Sequence, residues 1–375
     1  MNELEACRKE IDEIDKELVE LFERRMNVAV RVAEYKKKNN LPIFNEAREK
    51  QVIEKNIENL KNKEYANLTR IFFNNLMELS RSLQDKLILK KSEVIKSKFN
   101  VENYKLGFQG VRGSFSEEAL IKYFGACNNS RGYEEFKEVF EALKNQEIDY
   151  GILPIENSCT GAITRVYDLL AEYGFYIVGE ECIKIDQHLM GIKGSNIENI
   201  EEVYSHPQGF EQSREFLSHN HDLKLIPYHN TAISAKLISD LKDKSKAAIA
   251  SKRAAEIYNL EILKEKINDK KNNHTKFIIV GRSLEVSEEC NKVTVVFSLE
   301  DKVGTLYELL RYFAENNINM IKIESRPNKH ESWKYLLYVD FQGNIKDKEV
   351  KKSLDLIEKN SGYFKLLGSY KKSKC

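Results

Sequence analysis

The stretch Glu3–Lys38, ELEACRKEIDEIDKELVELFERRMNVAVRVAEYKKK, contains neither proline nor glycine and repeats apolar residues at helical spacing. Ile11, Ile14, Leu18, Leu21, Phe22, Val28 and Val32 mark one face of a long helix. At about 100° per residue, Arg25 falls in the middle of that face, and Lys36 lies about 20° away on the same stripe. A covered cation without a partner is costly, so the pair calls for an anion. Taken singly, each side chain can also pack its stem and send its head to water. At about 1.5 Å per residue the helix is roughly 50 Å long. That is more than a three-helix monomer can cover, so a second copy of the chain is expected against it.

Outward from this helix, residues 1–90 read as an all-α three-helix domain. Pro42 and Asn45 punctuate the end of the first helix and the second starts near Glu46. A third, near 66–90, carries Phe72, Leu76, Leu79, Leu83 and Leu87 as its stripe. Residues 91–103 are polar and read as a linker. From 104 to 283 short β-like runs alternate with helical stretches, an α/β pattern long enough for two lobes with a cleft between them. Residues 292–375 read as βαββαβ, the ferredoxin-like α+β order.

Composition bounds what this multidomain chain does. Its 375 residues are 41% hydrophobic and 32% charged, with a formal net charge of +1. This predicts a soluble globular protein and argues against broad binding to nucleic acid or to an anionic membrane. No apolar run reaches the ~18 residues of a membrane span, and the N-terminus does not read as a secretory signal. Cys7, Cys127, Cys159, Cys182, Cys290 and Cys375 form no CxxC pair and no metal-type cluster. A cytoplasmic location is expected.

Arg8, Arg25, Lys36, Asn45, Arg48, Glu49, Ser80 and Gln84 together suit a small dicarboxylate with an ether oxygen and a hydroxyl. Arg8 lies about 100° off the Arg25 stripe, so it points to another groove, the partner's included. The run Arg8-Lys9-Glu10-Ile11-Asp12-Glu13-Ile14-Asp15, then Arg25, Lys36, Pro42, Arg48-Glu49 and Ser80 to Gln84, resembles the all-helical chorismate mutases. The resemblance implies conversion of chorismate to prephenate by a Claisen rearrangement. It implies that Arg8 of the partner subunit and Arg25 hold the carboxylates, and that Lys36 and Gln84 bond the ether oxygen. Glu49 and the Arg48 backbone would hold the ring hydroxyl, with Ser80 nearby. Asn45 stands where a well-known member has Asp.

Five motifs end predicted strands in the middle region. They are Gly110-Val111-Arg112-Gly113-Ser114-Phe115-Ser116, the run Pro154 to Ile163, Ser205-His206-Pro207-Gln208, Asn230 to Ala235, and Asn273-His274-Thr275-Lys276-Phe277. Singly each is a helix cap or a turn, with Ser116 and Thr231 as cap candidates. In open α/β sheets such strand ends also bind ligands. In order and spacing they resemble prephenate dehydratase across nearly all of 104–283. That implies loss of CO2 and water from prephenate, with Thr275 donating a proton to, or polarising, the leaving hydroxyl. Asn157, Ser205, His206 and Gln208 would line the cleft, with Ser114, Glu156 and Thr160 near it. The family's usual Thr-Arg-Phe is Thr275-Lys276-Phe277 here; Lys276 keeps the charge and loses the bidentate fork. Cys159 replaces a usual Ser.

The segments Asp301 to Leu306 and Ile318 to Pro327 resemble the ACT regulatory domain. The resemblance implies that phenylalanine binds between subunits, against Gly304, Thr305 and Leu306 on one side and Glu324, Ser325, Arg326 and Pro327 on the other. Trp333 would support that pocket. Together the three resemblances imply a homodimeric or larger bifunctional enzyme committed to phenylalanine and inhibited by it, with no cofactor and no metal. Two other readings keep the fold: a dehydratase acting on arogenate, and an amino-acid-sensing protein with decayed catalysis. The intact Lys36, Gln84 and Thr275 argue against the second.

Overall fold

The computed structural model describes residues 2–39, 46–89, 104–126, 129–220, 222–328 and 334–375. Pro42, Asn45, Cys127, Trp333 and the 91–103 linker lie outside them. The chain divides into two compact units, Met1–Glu93 and Val94–Cys375.

The first unit holds α1 (Glu3–Lys38), α2 (Glu46–Glu58) and α3 (Ala66–Leu89). Within one chain Ala29 and Ala33 of α1 are buried and Arg25 and Lys36 half-buried. Small alanines let α1 approach α3, whose Leu76 and Met77 are buried. The apolar stripe itself, Ile11, Ile14, Leu18, Leu21, Phe22, Val28 and Val32, stands exposed.

The second unit begins with β1 (Leu106–Gln109), α4 (Phe115–Phe124), β2 (Ser130–Tyr133), α5 (Phe136–Lys144), β3 (Tyr150–Asn157), β4 (Gly161–Ala162), α6 (Thr164–Tyr173) and β5 (Tyr176–Lys184). A second lobe follows: β6 (His188–Gly191), β7 (Glu202–Ser205), α7 (Pro207–Gln212), α8 (Arg214–Ser218), β8 (Lys224–Pro227), α9 (Thr231–Leu241), β9 (Lys246–Ala250), α10 (Lys252–Ile257) and β10 (Glu261–Lys264). The chain then returns to the first lobe through β11 (His274–Gly281). The first sheet runs β2-β1-β3-β11-β5, with β4 on β3, and the second runs β10-β6-β9-β7-β8. In the first sheet β11 is antiparallel to both neighbours, which places its first residues beside the last residues of β3.

The C-terminal part is β12 (Lys292–Ser298), α11 (Thr305–Glu315), β13 (Met320–Pro327), β14 (Tyr335–Gln342), α12 (Lys348–Lys359) and β15 (Tyr363–Tyr370), in a four-stranded antiparallel sheet ordered β13-β14-β12-β15. This is the expected βαββαβ order. The strands β2, β4, β6 and β10, none longer than four residues, were not legible in the sequence, although β1, β7 and β8, of four residues each, were.

The C-terminal sheet docks on the first lobe through a shared core. Val296, Tyr338, Leu367 and Tyr370 pack with Leu153, Ile155, Tyr167, Leu170, Ile177 and Ile278. Gly368 permits this approach: a Cβ there would fall 2.1 Å from the Ile177 carbonyl oxygen. Inside the junction Lys292 donates to Glu180 at 2.5 Å and pairs with Asp340 at 2.8 Å, all three largely removed from solvent. Burial alone would lower the Lys292 pKa; Tyr370, Asp340 and Glu180 reverse this and raise it. A disulfide joins Cys182 to Cys375, 193 residues apart in sequence. No CxxC spacing announces that bond, so it was not foreseen. No helix among the described residues is long and apolar enough to cross a membrane.

Candidate active sites

In the helical unit, α1 and α3 bring Arg25 to Ser80, with Nη1 donating to the hydroxyl at 2.5 Å and to the Leu76 carbonyl at 3.2 Å. Burial lowers the pKa of both Arg25 and Lys36, and the Glu49 carboxylate opposes that shift at each. One carboxylate is therefore within electrostatic reach of both cations. Glu49 also pairs with Arg81. Arg81 was missed by the sequence reading, although it sits next to Ser80 and one turn before Gln84. Gln84 is only 7% exposed, and its Oε1 has no hydrogen-bond partner among the described residues. Buried amide atoms are ordinarily paired; this oxygen can only accept, and the same amide's Nε2 is the atom able to donate to an ether oxygen.

The Arg48 and Arg8 side chains are exposed; Arg48 was expected to act through its backbone, and Arg8 from the partner subunit. Arg48 donates to Gln51 at 2.7 Å. Arg8 is exposed on α1, about 25 Å along the helix axis from Arg25 at ~1.5 Å per residue. It cannot join the Arg25 cluster of its own chain.

In the two-lobed region, Asn157 at the end of β3 organises the strand ends. Its Oδ1 accepts from the Cys159 and Thr160 backbone N–H groups at 2.8 and 3.1 Å. That fixes the amide orientation, so Nδ2 must point the other way. It donates to Asn273 Oδ1 at 2.8 Å and to Thr275 Oγ1 at 2.8 Å. With its oxygen accepting, the Thr275 hydroxyl keeps its own proton for another acceptor. From the second lobe, Gln208 on α7 donates to Thr160 Oγ1 at 3.2 Å, which joins the two lobes at this point. Asn273, the first residue of the Thr275 motif, is a further member to which the sequence gave no role.

His206 caps α7, its Nδ1 accepting from the Gln208 N–H at 3.1 Å. Burial lowers its pKa, which favours the neutral ring that this cap requires. The sign follows: a folded pKa below the unfolded value of about 6.5 gives a stabilising contribution that is full above pH 6.5. It is lost as pH falls through the folded value. Thermal melts stepped down from about pH 7.5 to 5.5 are expected to show a falling midpoint, with less pH dependence in His206→Asn, whose side chain caps without titrating.

Other expected residues serve the scaffold. Ser205 is fully buried and donates to the Ile249 carbonyl at 2.9 Å, tying β7 to β9. Ser114, not Ser116, caps α4, and Asn230, not Thr231, caps α9. Lys276 and Glu156 face away from Thr275 and Asn157. Successive strand residues point to opposite sides, and the register pairs Thr275 with Asn157 and Lys276 with Glu156. Lys276 donates to Glu156 at 3.1 Å, and Lys322 of β13 donates to the same carboxylate at 2.9 Å. Burial alone would raise the Glu156 pKa; Lys322 and then Lys276 outweigh it, and the pKa is lowered.

On the C-terminal sheet, Gly304 takes a left-handed conformation (φ 89°) ahead of α11, where glycine is favoured. Thr305 donates back to the Glu300 and Lys302 carbonyls, and Leu306 is exposed. Along the edge strand β13, Glu324 and Arg326 are half-buried while Ser325 and Pro327 are exposed. Arg326 pairs with Asp168 of α6 at 3.3 Å.

Three families match by sequence: chorismate mutase type II over residues 7–85, prephenate dehydratase over 106–285 and the ACT domain over 293–355. The bifunctional chorismate mutase/prephenate dehydratase of Aquifex aeolicus is 32% identical over 375 residues, 100% of this chain and 99% of that one. An arogenate dehydratase/prephenate dehydratase of Arabidopsis thaliana is 35% identical, covering 78% of this chain and 81% of its own. Among solved structures, the prephenate dehydratase of Arthrobacter aurescens in complex with L-Phe is similar at a TM-score of 0.65 and 30% identity. It covers 71% of this chain and 89% of its own.

Proposed function

We infer, because this chain belongs to the bifunctional chorismate mutase/prephenate dehydratase family, that it converts chorismate to prephenate in its helical unit and prephenate to phenylpyruvate in its two-lobed region. The second step is restrained by phenylalanine at the C-terminal sheet, a reading supported by the ACT match and by the L-Phe complex of a similar dehydratase. The observation that carries the dehydratase reading is the Thr275 hydroxyl, held as an acceptor by Asn157 with its proton directed elsewhere.

The rearrangement needs its substrate held compactly and negative charge stabilised on the breaking ether oxygen. Arg25 suits a carboxylate, and Lys36 and Gln84 suit the ether oxygen. In the dehydration, the bond from ring carbon to carboxylate breaks and CO2 leaves. Its electron pair completes the aromatic ring and expels the hydroxyl opposite, which departs as water once protonated. Thr275 is assigned to that protonation, Asn157 to orienting Thr275, and Thr160 and Gln208 to the surrounding wall. Ser114, Ser205 and His206 support this wall through caps and strand ties. Glu156 and Lys276 support it from behind. Gly304, Thr305 and Leu306, with Glu324, Ser325, Arg326 and Pro327, are assigned to the phenylalanine site. The Arabidopsis relative, whose name includes arogenate, motivates a second reading in which arogenate replaces prephenate. Competing rates on the two substrates separate the readings.

We further propose a homodimer in which each helical site takes Arg8 from the partner, since the exposed α1 stripe and the remote Arg8 both require a second chain. The decisive assay feeds chorismate to the full chain and follows phenylpyruvate with and without phenylalanine. In the same assay, Lys36→Ala is expected to lower chorismate conversion by about 10²–10³-fold. Co-expressed Lys36→Ala and Arg8→Ala chains should recover about a quarter of wild-type mutase activity, because half the dimers are mixed and each mixed dimer rebuilds one of its two sites. No recovery would place both residues in one chain's site.

A further inference from the structure

The end of β3 carries two neighbouring side chains that face opposite sides of the sheet. Asn157 reaches the Thr275 hydroxyl on one side. Glu156 on the other side meets two cations, one on each oxygen: Lys322 of β13 on Oε1 at 2.9 Å and Lys276 of β11 on Oε2 at 3.1 Å. Lys322 also donates to the Tyr167 hydroxyl of α6 at 2.9 Å. The Lys322 side chain is 14% exposed and the Glu156 side chain 27% exposed, so the pair is shielded more than an ordinary surface ion pair.

The backbone units that carry Glu156 and Lys276 are those that carry Asn157 and Thr275, one residue along each strand. Moving Glu156 therefore moves Asn157, and moving Lys276 moves Thr275. Two residues beyond Lys322 on the same strand begins Glu324–Pro327, the segment assigned to phenylalanine. A strand is stiff along its length, so a displacement of that segment is delivered to Lys322.

We propose that Lys322 is a positioning residue of the dehydratase site: through Glu156 it sets the ends of β3 and β11 that present Asn157 and Thr275, and through it a ligand on the edge strand alters dehydration. This rests on the functional reading above and adds the route of the signal. Nothing in it requires Lys322 to touch substrate. A group that acts by alignment changes turnover more than substrate affinity.

The test uses the full chain with Lys322→Met, which keeps the stem and removes the charge, and Lys322→Arg, which keeps the charge. Lys322→Met is expected to lower dehydratase kcat between about 10- and 100-fold, with KM within about twofold. The phenylalanine midpoint should shift by about fivefold or more, while mutase turnover stays unchanged. Lys322→Arg should restore kcat and midpoint to within about twofold. Glu156→Gln carries the same expectation if Lys322→Met is too unstable to assay, and the two changes combined should cost no more than either alone. An active, phenylalanine-sensitive wild type whose Lys322→Met and Glu156→Gln variants keep both kcat and midpoint within about twofold overturns the proposal. So does a rise in KM alone. A wild type without phenylpyruvate formation overturns the functional reading itself.

Discussion

Thr275→Val is expected to lower dehydratase turnover by about 10²–10⁴-fold, the usual range for removing a positioned proton donor. Chorismate conversion by the same chain should stay at the wild-type rate and serve as the control for the amount of chain assayed. Valine keeps the branched shape, so the loss reports the hydroxyl. The change leaves Asn157 Nδ2 with Asn273 Oδ1 at 2.8 Å and the His274 carbonyl at 3.2 Å as acceptors, so no buried donor is stranded. A stability cost of only about 1 kcal/mol is expected. Thr275→Ser should recover most of the rate. Steady-state phenylpyruvate formation reads all three proteins, and a Thr275→Val loss below tenfold would remove Thr275 from the role assigned to it.

The second large effect is on stability. Lys292→Met should destabilise the second unit by about 3–5 kcal/mol, the usual cost of removing one partner of a buried ionic group. Lys292 is 3% exposed and joins two carboxylates, Glu180 from β5 and Asp340 from β14. Methionine leaves those carboxylates buried without a cation. The triple change Lys292→Met, Glu180→Gln, Asp340→Asn should regain most of the loss, because no unpaired charge is left behind. Denaturant unfolding of the full chain, followed on the second unit, measures each midpoint. A Lys292→Met midpoint equal to the wild type at pH 7 would show that the junction tolerates the unpaired carboxylates.

The second effect depends on one architectural fact. The C-terminal sheet shares its core with the first lobe, and the two are joined by Lys292, Lys322, Arg326 and the Cys182–Cys375 bond. A regulatory element attached this tightly can bias the catalytic strands directly, without moving across solvent to reach them.

Much of the molecule was legible in the amino-acid order because the relevant signals are local. The unbroken period of Glu3–Lys38 defined α1, and alternation with turn residues defined β3, β5, β11 and the C-terminal strands. Motif residues such as Asn157, Thr275 and Gln84 were visible because their neighbours repeat a known spacing. Even the opposed directions of Thr275 and Lys276 were available, since adjacent residues of a strand face opposite sides.

Tertiary structure alone decided which distant residues meet. Glu49 with Arg81, Glu156 with Lys322, Lys292 with Glu180 and Asp340, and Cys182 with Cys375 are separated by 32 to 193 residues. No local period encodes such pairings, because they depend on which strands become neighbours and in what register. The physical reason is the same in each case. A helix or strand is selected by interactions a few residues apart, whereas a buried charge takes its partner from whatever element the packing of the whole core brings against it.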